Sequence, residues 1–186
     1  MNYDTRLSNY FAELQKVLSE IDVQQIRVIA DKLNAAMKND QAIYIFGNGG
    51  GSALASHFCA DVGKMLKLDR NENYRIFALT DNVPTMTAWA NDSDYSDIFW
   101  RQLELYMRKG DLVFALSGSG NSPNVIKAVE FAKTQGGESI ALAGFSGGKL
   151  AQVADNCYVV PSSDMQIAED LFGIILHAIF VALRDC

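Results

Sequence analysis

Residues 42–64 read AIYIFGNGGGSALASHFCADVGK, and this stretch decides the fold class. It begins with a short apolar run at 42–46, which suits a strand that is buried on both faces. A glycine-rich segment, Gly47 to Ser52, follows at once, and a helical pattern begins at about residue 52. A strand that passes through a tight glycine turn into a helix is the unit from which parallel α/β sheets are built.

The same alternation repeats along the rest of the chain. Five apolar runs predict strands, and five longer segments predict helices that separate or follow them. The strands are predicted at 42–46, 74–79, 112–116, 139–143 and 157–160, and the helices at about 52–67, 96–108, 122–135, 147–154 and 164–184. Because the apolar runs are nearly continuous, both faces of the sheet should be covered. The pattern predicts a three-layer, doubly wound α/β sandwich around a five-stranded parallel sheet of the flavodoxin-like kind.

Two further helices are predicted before the first strand. Apolar residues at steps of four and three form a stripe on each of them. The first stripe comprises Leu7, Phe11, Leu14, Leu18 and Ile21, and the second comprises Ile26, Ile29, Leu33 and Met37. The first stripe has too few heptads for a coiled coil, but its pattern suits packing against another subunit. Residues 1–40 are therefore interpreted as a helical extension used in oligomerisation.

The composition fits one globular domain that spans residues 1–186. Hydrophobic residues make up 49% of the chain and charged residues 20%, and the net charge of −6 argues against a nucleic-acid partner. The three cysteines, Cys59, Cys157 and Cys186, have no CxxC spacing, which suits a reducing compartment. The polar start, MNYDTRLSNY, is unlike a secretory signal. The apolar stretch Leu171 to Leu183 is shorter than the roughly 20 residues that span a bilayer. We therefore expect a cytoplasmic protein with no membrane partner.

Two loops that follow predicted strands have the composition of anion-binding sites. Gly47-Asn48-Gly49-Gly50-Gly51-Ser52 follows the first strand, and Ser117-Gly118-Ser119-Gly120-Asn121-Ser122-Pro123 follows the third. Glycines let backbone N–H groups approach an anion, hydroxyls add donors, and each following helix presents its positive end. Taken singly, the first loop is also typical of a tight turn, and the second of an N-cap cluster. As a pair in one sheet, the loops predict an anionic ligand. A third polar segment, Trp89-Ala90-Asn91-Asp92, is interpreted as a loop between a short helix and the next one.

The expected ligand is a phosphorylated small molecule rather than a nucleotide. The dinucleotide fingerprint GxGxxG needs a third glycine where Ser52 stands, and an acidic residue about twenty positions later. Asp81, the acidic residue after the second predicted strand, lies beyond that spacing. The nucleoside-triphosphate motif GxxxxGK[ST] is absent from the sequence. No nucleotide cofactor is therefore predicted.

Both histidines of the chain lie on predicted helices. His57 and Asp61 are four residues apart and share a helix face, which Lys64 extends, so they form either a surface contact or part of a catalytic site. His177 lies in the apolar closing helix, eight residues after Glu169. There it is either a core residue with satisfied ring nitrogens or a functional group. Spacing alone does not bring His177 to His57.

Four stretches carry a resemblance to a known family. They are FGNGGGSALASHFCADVGK, ALTDNVPTMTAWANDSDYSDIF, GDLVFALSGSGNSPNVIKAVEFA and GFSGGKLAQVADNCYVV. Together they resemble the sugar isomerase (SIS) domain and, more narrowly, the phosphoheptose isomerase group. The motifs GNGG…SHF, SxSGNS and GGKL in this order are specific to the family, and the similarity covers the whole chain. They are less specific to one substrate.

The resemblance implies a set of contacts to the sugar phosphate. Ser52 is included because Gly51 stands where the family has a serine, and Gly118 replaces a threonine. The implied contacts are Asn48, Gly49, Gly50, Ser52, Asn91, Asp92, Ser117, Gly118, Ser119, Ser122 and Glu169.

The resemblance also implies the catalytic residues. Asp61 stands where the family has a glutamate that acts as base, Glu169 stands where it has a glutamine, and His177 matches the partnering histidine. In some members these positions bind zinc, which here gives the set His57, Asp61, Glu169 and His177. Carboxylates and imidazoles are suitable zinc ligands, so Zn²⁺ is the expected cofactor if the site is metallated. Asp61 is the candidate base and His177 its acid/base partner, with His57 orienting or ligating.

Two hypotheses about function follow from the resemblance. The first is a phosphosugar aldose–ketose isomerase that converts sedoheptulose 7-phosphate to D-glycero-D-manno-heptose 7-phosphate by proton transfer through an enediol. The second is a non-catalytic phosphosugar-binding protein that acts as a regulator or scaffold, of the kind that associates with a replication initiator. Asp61 is one methylene shorter than the family's glutamate, and Glu169 adds a charge where the family has a neutral amide. The resemblance further implies a homotetramer whose sites combine helices from different subunits.

Overall fold

The computed structural model describes residues 3–70 and 72–185. Cys186 and both ends of the predicted 1–186 domain therefore lie outside the described residues. The helices are α1 Tyr3–Ser19, α2 Val23–Lys38, α3 Gly50–Ala60, α4 Lys67–Arg70, α5 Val83–Asp92, α6 Trp100–Tyr106, α7 Pro123–Thr134, α8 Leu150–Val153 and α9 Met165–Arg184. The strands are β1 Ile43–Gly47, β2 Ile76–Ala78, β3 Leu112–Ser117, β4 Glu138–Ala143 and β5 Asn156–Val159. A π-helical segment, Asp61–Leu66, continues α3 into α4, and a 3₁₀ turn, Tyr95–Asp97, precedes α6.

The five strands form one parallel sheet in the order β2-β1-β3-β4-β5. The chain moves outward from β1 to β2 and then crosses to the other side of β1 to form β3. This reversal makes the gap between β1 and β3 the switch point of the sheet, where ligands of such folds bind. Gly47 at the end of β1 pairs with Leu116 of β3, so the two predicted anion loops start side by side.

Alternate residues of each buried strand face two separate core layers. Ile43 and Ile45 of β1 pack with α2, α3 and α9, whereas Tyr44 and Phe46 pack with the layer that contains α6 and α7. Because both faces are covered, β1 and β3 consist entirely of buried residues. The predicted three-layer, doubly wound sandwich is confirmed.

Three local predictions need correction. The second strand is shorter than 74–79, because β2 lies at the sheet edge with Phe77 48% exposed. The helix predicted at 147–154 begins only at Leu150, because the positive φ angles of Gly147 and Gly148 keep these residues out of a right-handed helix. The predicted loop Trp89-Asp92 is wrong, since these residues form the last turns of α5.

The two N-terminal helices differ in how they are packed. The whole second stripe, on α2, is buried against the sheet layer that contains α9. On α1, by contrast, Val17 is the buried residue, and three members of the first stripe are exposed: Leu7, Phe11 and Leu18. Tyr10 holds α1 to α9 by donating a hydrogen bond of 2.6 Å to Asp170, which raises the pKa of Tyr10 to about 12. The described chain therefore leaves most of the first stripe without a partner.

The closing helix α9 is a core helix in this structure. It has 20 residues and a mean hydropathy of 1.7 over its most apolar window, so length does not exclude a membrane span, contrary to the prediction for 171–183. Half of that window is buried inside the protein. Its buried residues, among them Leu171, Phe172 and Ile175, pack in the core layer of β1 and β3.

Candidate functional site

A cleft of about 270 Å³ opens at the switch point, beyond the carboxyl ends of β1 and β3. Both predicted anion loops form its walls, and the first turns of α9 close it. Its lining residues are Asn48, Gly49, Gly51, Leu116, Ser117, Gly118, Ser119, Ser122, Met165, Glu169 and Phe172.

The first wall is the turn from β1 into α3. Gly49 has φ +51°, a left-handed conformation that glycine adopts without steric cost, and it is the N-cap residue of α3. It provides no side-chain cap, so no side chain competes with a ligand for the first N–H groups of α3. A helix start of this kind, with its partial positive charge, favours an anion.

The second wall is the serine loop between β3 and α7. Ser117 accepts a hydrogen bond from the Gly120 N–H (3.2 Å) and donates one to Ser122 (3.4 Å). Ser122 is the N-cap of α7 but makes no side-chain capping bond, and Pro123 occupies the first turn. The hydroxyl of Ser122 thus remains beside a helix start. Gly120, at φ +66°, packs so closely on Gly147 that a Cβ would overlap the Gly147 carbonyl.

Glu169 brings a negative charge to the edge of this anion cleft. Its carboxylate lies against Gly50, where a Cβ would overlap it. Within residues 3–70 and 72–185, this carboxylate has no hydrogen bond or ion pair. The Glu169 carboxylate thus fills the space beside Gly50, and it is left to accept hydrogen bonds from a ligand.

Both histidines meet one carboxylate where α3 packs against α9. Nε2 of His57 lies 3.4 Å from Oδ2 of Asp61, and Nε2 of His177 lies 3.8 Å from the same oxygen. The two rings stand edge to face with centroids 5.0 Å apart. Asp61 is 24% exposed and the two histidines more than half, so solvent reaches the group. The alternative of a core histidine is thereby excluded for His177.

A π-helical segment begins at Asp61. The Asp61 N–H is shared between the carbonyls of His57 and Phe58, at the point where the winding changes. Single π turns inside α-helices recur at functional sites because they re-aim side chains. Here the change of winding starts at the carboxylate that faces both imidazoles.

One face of α9 joins the cleft to this group, which we call the His-Asp-His group (His57, Asp61, His177). Met165 and Glu169 line the cleft, and Gly173 and His177 line the small pocket around the group. These four residues follow one another at steps of four and so share a helix face. Since each residue rises about 1.5 Å, Glu169 and His177 are roughly 12 Å apart along the helix.

The structure assembles three of the four expected metal ligands. One nitrogen or oxygen from each of His57, Asp61 and His177 lies within 4.8 Å of the others. Glu169 is not part of this set in the described chain, because it lies against Gly50 instead. Two imidazoles and one carboxylate fit Zn²⁺, for which three protein ligands and an open position are typical of catalytic sites.

Four of the expected phosphate contacts are not among the residues that line the cleft: Gly50, Ser52, Asn91 and Asp92. Asn91 and Asp92 are exposed on the last turn of α5, where Asn91 donates to Asp92 over 2.7 Å. The hydroxyl of Ser52 donates to the Gly49 carbonyl (2.7 Å) and so turns back on its own loop. The expected roles of these side chains as direct ligands find no support in the cleft itself.

Two residues at the cleft were missed by reasoning from the sequence. Asn124 is 2% exposed and exchanges two hydrogen bonds with Asn48, and the Tyr95 hydroxyl also reaches Asn48. Asn124 directly follows the Ser-Pro start of α7, so its place in the first helical turn was a usable signal. Nothing local distinguishes Tyr95.

The fold and the cleft together define a class: a parallel α/β domain whose switch-point cleft is lined by backbone amides and hydroxyls, groups that suit an anionic ligand. Within that class, the model of the SIS domain family matches residues 9–144, and the chain belongs to this family. The resemblance inferred from the four stretches is confirmed.

Several relatives are similar over most of their length. A probable phosphoheptose isomerase of Thermoplasma acidophilum is 37% identical over 95% of this chain and 96% of its own. A phosphoheptose isomerase of Helicobacter pylori is 35% identical over 91% of this chain and 83% of its own. A phosphoheptose isomerase of Mycobacterium bovis is 39% identical over 84% and 80% of the two chains.

Two solved structures share the whole architecture. A phosphoheptose isomerase from Neisseria gonorrhoeae superposes with a TM-score of 0.92 at 30% identity, over 98% of this chain and 99% of its own. One from Francisella tularensis gives a TM-score of 0.92 at 25% identity and covers all of both chains.

Proposed function

We propose that this protein is a phosphosugar aldose–ketose isomerase that converts sedoheptulose 7-phosphate to D-glycero-D-manno-heptose 7-phosphate. The relatives named phosphoheptose isomerase support the coarser assignment, a phosphosugar isomerase. The observation that carries the proposal is the shared face of α9, which has phosphate-binding chemistry at one end and the His-Asp-His group at the other. A separation of roughly 12 Å suits a sugar phosphate that lies extended between them.

The cleft would bind the phosphate end of the substrate. The starts of α3 and α7 and the hydroxyls of Ser117, Ser119 and Ser122 offer donors without a basic side chain. Glu169 would accept hydrogen bonds from sugar hydroxyls next to the phosphate. Backbone amides and hydroxyls would thus bind the phosphate dianion without a basic side chain, in a protein whose net charge is −6.

The His-Asp-His group would carry out the proton transfer. Oδ2 of Asp61 faces both imidazoles, which leaves Oδ1 to remove a proton from the carbon next to the carbonyl. His177 would exchange protons with the two substrate oxygens, and His57 would orient the carboxylate. Return of the proton to the neighbouring carbon completes the conversion of ketose to aldose.

The same three side chains would hold Zn²⁺. The metal, when bound, would polarise the substrate carbonyl. Glu169 would not be a ligand in this arrangement, because its carboxylate lies beside Gly50 and not beside the other three side chains.

The proposed assembly is a cytoplasmic homotetramer with no nucleic-acid or membrane partner. Its support is the exposed apolar face of α1, with Leu7 58% and Phe11 64% exposed. Burial of such a face against another copy would remove apolar surface from water.

A phosphosugar-binding protein without catalysis, acting as a regulator or scaffold, is the second candidate. It is favoured by the distances of 3.4 and 3.8 Å within the His-Asp-His group, which are too long for strong hydrogen bonds.

Incubation with sedoheptulose 7-phosphate in D₂O, followed by proton NMR, tests the function. An isomerase yields the aldose with deuterium at the carbon that exchanges its proton, whereas a binder yields only phosphosugar-dependent thermal stabilisation. Parallel samples with zinc and with a chelator measure the contribution of the metal.

Asp61→Asn tests the role of the base. We expect at least a hundredfold lower turnover with unchanged phosphate binding, because an amide does not accept the proton. Asp31→Asn, on the exposed face of α2, is the matched control. Unchanged turnover in Asp61→Asn would remove Asp61 as the base.

A further inference from the structure

Three side chains from three different elements meet at the wall of the cleft. Nδ2 of Asn48 donates to Oδ1 of Asn124 over 3.0 Å, and Nδ2 of Asn124 donates to Oδ1 of Asn48 over 2.8 Å. The Tyr95 hydroxyl donates to the same Oδ1 of Asn48 over 3.1 Å. Asn48 lies after β1, Asn124 in the first turn of α7, and Tyr95 in the 3₁₀ turn before α6.

One backbone donor fixes the orientation of both amides. The backbone N–H of Val125 can only donate a hydrogen bond, and it donates to the side-chain atom of Asn124 that lies 3.0 Å away, Oδ1. The atom of Asn124 at that position must therefore be its oxygen. Since Asn48 bonds to the same oxygen, it must present its nitrogen there, and its own oxygen must face Asn124 and Tyr95.

This arrangement uses every acceptor of the Asn48 side chain. Oδ1 has two lone pairs, and Asn124 and Tyr95 occupy them, whereas Nδ2 has two N–H groups and only one is engaged. Asn48 lines the cleft, and Asn124 is buried behind it. The remaining group that Asn48 offers a ligand is one N–H donor.

The turn that carries Tyr95 is held by a buried carboxylate. Asp97 accepts hydrogen bonds from Lys127 of α7 (2.9 Å) and from the indole of Trp100 (2.7 Å). Because α7 also carries Asn124, one helix positions both partners of Asn48.

We propose that Asn124 and Tyr95 are positioning residues that lock the Asn48 amide with its N–H towards the cleft and so make this wall selective for oxyanions. The inference rests on the proposed function only in that the cleft takes a phosphate. A free amide could turn its oxygen towards the cleft and accept a hydrogen bond from a ligand hydroxyl equally well. The locked amide presents only an N–H donor, so it does not bind a ligand group that must donate.

Tyr95→Phe tests the lock with little risk to folding, because Tyr95 is 56% exposed. Calorimetry with inorganic phosphate and with sedoheptulose 7-phosphate should give affinities lower by about three- to tenfold, the effect of one neutral hydrogen bond. The effect should fall on KM more than on kcat. Tyr106→Phe, a tyrosine of similar exposure whose hydroxyl is remote from the cleft, should bind as wild type.

Asn124→Asp is the second variant. It keeps an acceptor for the Val125 N–H, but it removes the N–H that Oδ1 of Asn48 accepts and sets a carboxylate oxygen against that Oδ1. The Asn48 amide should therefore lose this restraint, and phosphate affinity should fall by more than tenfold. NMR of the Asn48 side-chain amide reads the lock without any ligand. In wild type one of its two protons should exchange slowly with solvent, and in Asn124→Asp this protection should change.

The outcomes separate the two proposals. Equal phosphate affinity in wild type and Tyr95→Phe, or two fast-exchanging Asn48 protons, would overturn the positioning role. A wild type that binds no phosphate would overturn both proposals. If both variants lose phosphate affinity as expected but the wild type does not turn over the heptose phosphate, only the isomerase assignment is overturned.

Discussion

Glu169 places a carboxylate beside the start of α3, where the partial positive charge of the helix would otherwise favour a bound anion. Its side chain has no ionic partner in the described part of the chain, and Gly50 gives it space. A carboxylate and a bound phosphate a few ångströms apart repel each other, more strongly in a half-buried cleft than in water. If the cleft binds phosphate as proposed, Glu169 should lower the phosphate affinity while it offers acceptors to hydroxyls.

Glu169→Gln should raise the affinity for inorganic phosphate by about three- to tenfold, because it removes one like charge at similar size. Calorimetry at low and high salt measures this, and the gain should shrink as salt screens the charge. Glu13→Gln, on the exposed face of α1, is the control. An unchanged affinity would mean that Glu169 turns away from the bound phosphate.

Asp97 is the residue that ties the 3₁₀ turn to α6 and α7. Hydrogen bonds from Lys127, Ser93 and Trp100 hold the pKa of Asp97 well below its ordinary value of 3.8. A carboxyl whose pKa is lower in the folded state stabilises the fold above the unfolded pKa, and this contribution is lost as pH falls through the folded pKa.

Asp97→Asn should therefore lower the free energy of unfolding at pH 7 by about 1.5–3 kcal/mol, the range of hydrogen bonds to charged groups. Denaturant titrations of both proteins should show this difference in full above pH 5 and a smaller one below pH 3.8. A difference that stays constant down to pH 2 would contradict the assigned pKa.

At the scale of elements, the serine loop depends on a close approach between two turns. Gly120 combines φ +66° with contact to the Gly147 carbonyl, and Leu150 N–H bonds to the Gly120 carbonyl over 2.9 Å. The sequence predicts the first of these turns from its glycines and serines, but it assigns Gly147 to a helix. It does not predict that the two turns pack on each other, because Gly120 and Gly147 are far apart along the chain.

Gly120→Ala should destabilise the protein by about 2–4 kcal/mol, since it adds left-handed strain and a clash with backbone that has no freedom to move. Gly63→Ala is the matched control, because nothing lies within 4 Å of a Cβ there. Thermal unfolding measures both variants. Equal melting temperatures for the two would show that the loop rearranges without cost.

Helix periodicity predicts where the elements lie more accurately than how far they extend. The helices predicted at 122–135 and 164–184 agree with α7 and α9 to within one residue at each end. The helix predicted at 96–108 is wrong at both ends, because Asp94 caps a separate 3₁₀ turn and α6 begins only at Trp100. Such a change of winding depends on Asp97 and its partners in α7, which local pattern does not contain.

At the scale of the whole molecule, the exposed side of α1 carries apolar residues that the described part of the chain does not cover. Its apolar residues follow the predicted stripe, yet Leu7 and Phe11 face solvent. A stripe of this kind on a terminal helix suits burial between copies of the chain.

Leu7→Ser combined with Phe11→Ser should convert the proposed tetramer to smaller species without unfolding the protein, because neither side chain belongs to the core. Light scattering after gel filtration measures the mass, and circular dichroism checks the fold. Val83→Ser, a similarly exposed apolar residue on α5, should leave the mass unchanged. A monomeric wild type would contradict the assembly.

The sequence by itself determined the fold class, the two anion loops and the family, because strands, glycine turns and helix starts follow from the preferences of neighbouring residues. Only the tertiary structure decided which side chains meet. His57 and His177 share Asp61, Glu169 contacts Gly50 instead of joining them, and Asn124 fixes Asn48. His177 and Asp61, Glu169 and Gly50, and Asn124 and Asn48 are each more than 70 residues apart along the chain, so these contacts depend on how α3, α7 and α9 pack around the sheet. That packing is set by the complete core and not by any local segment.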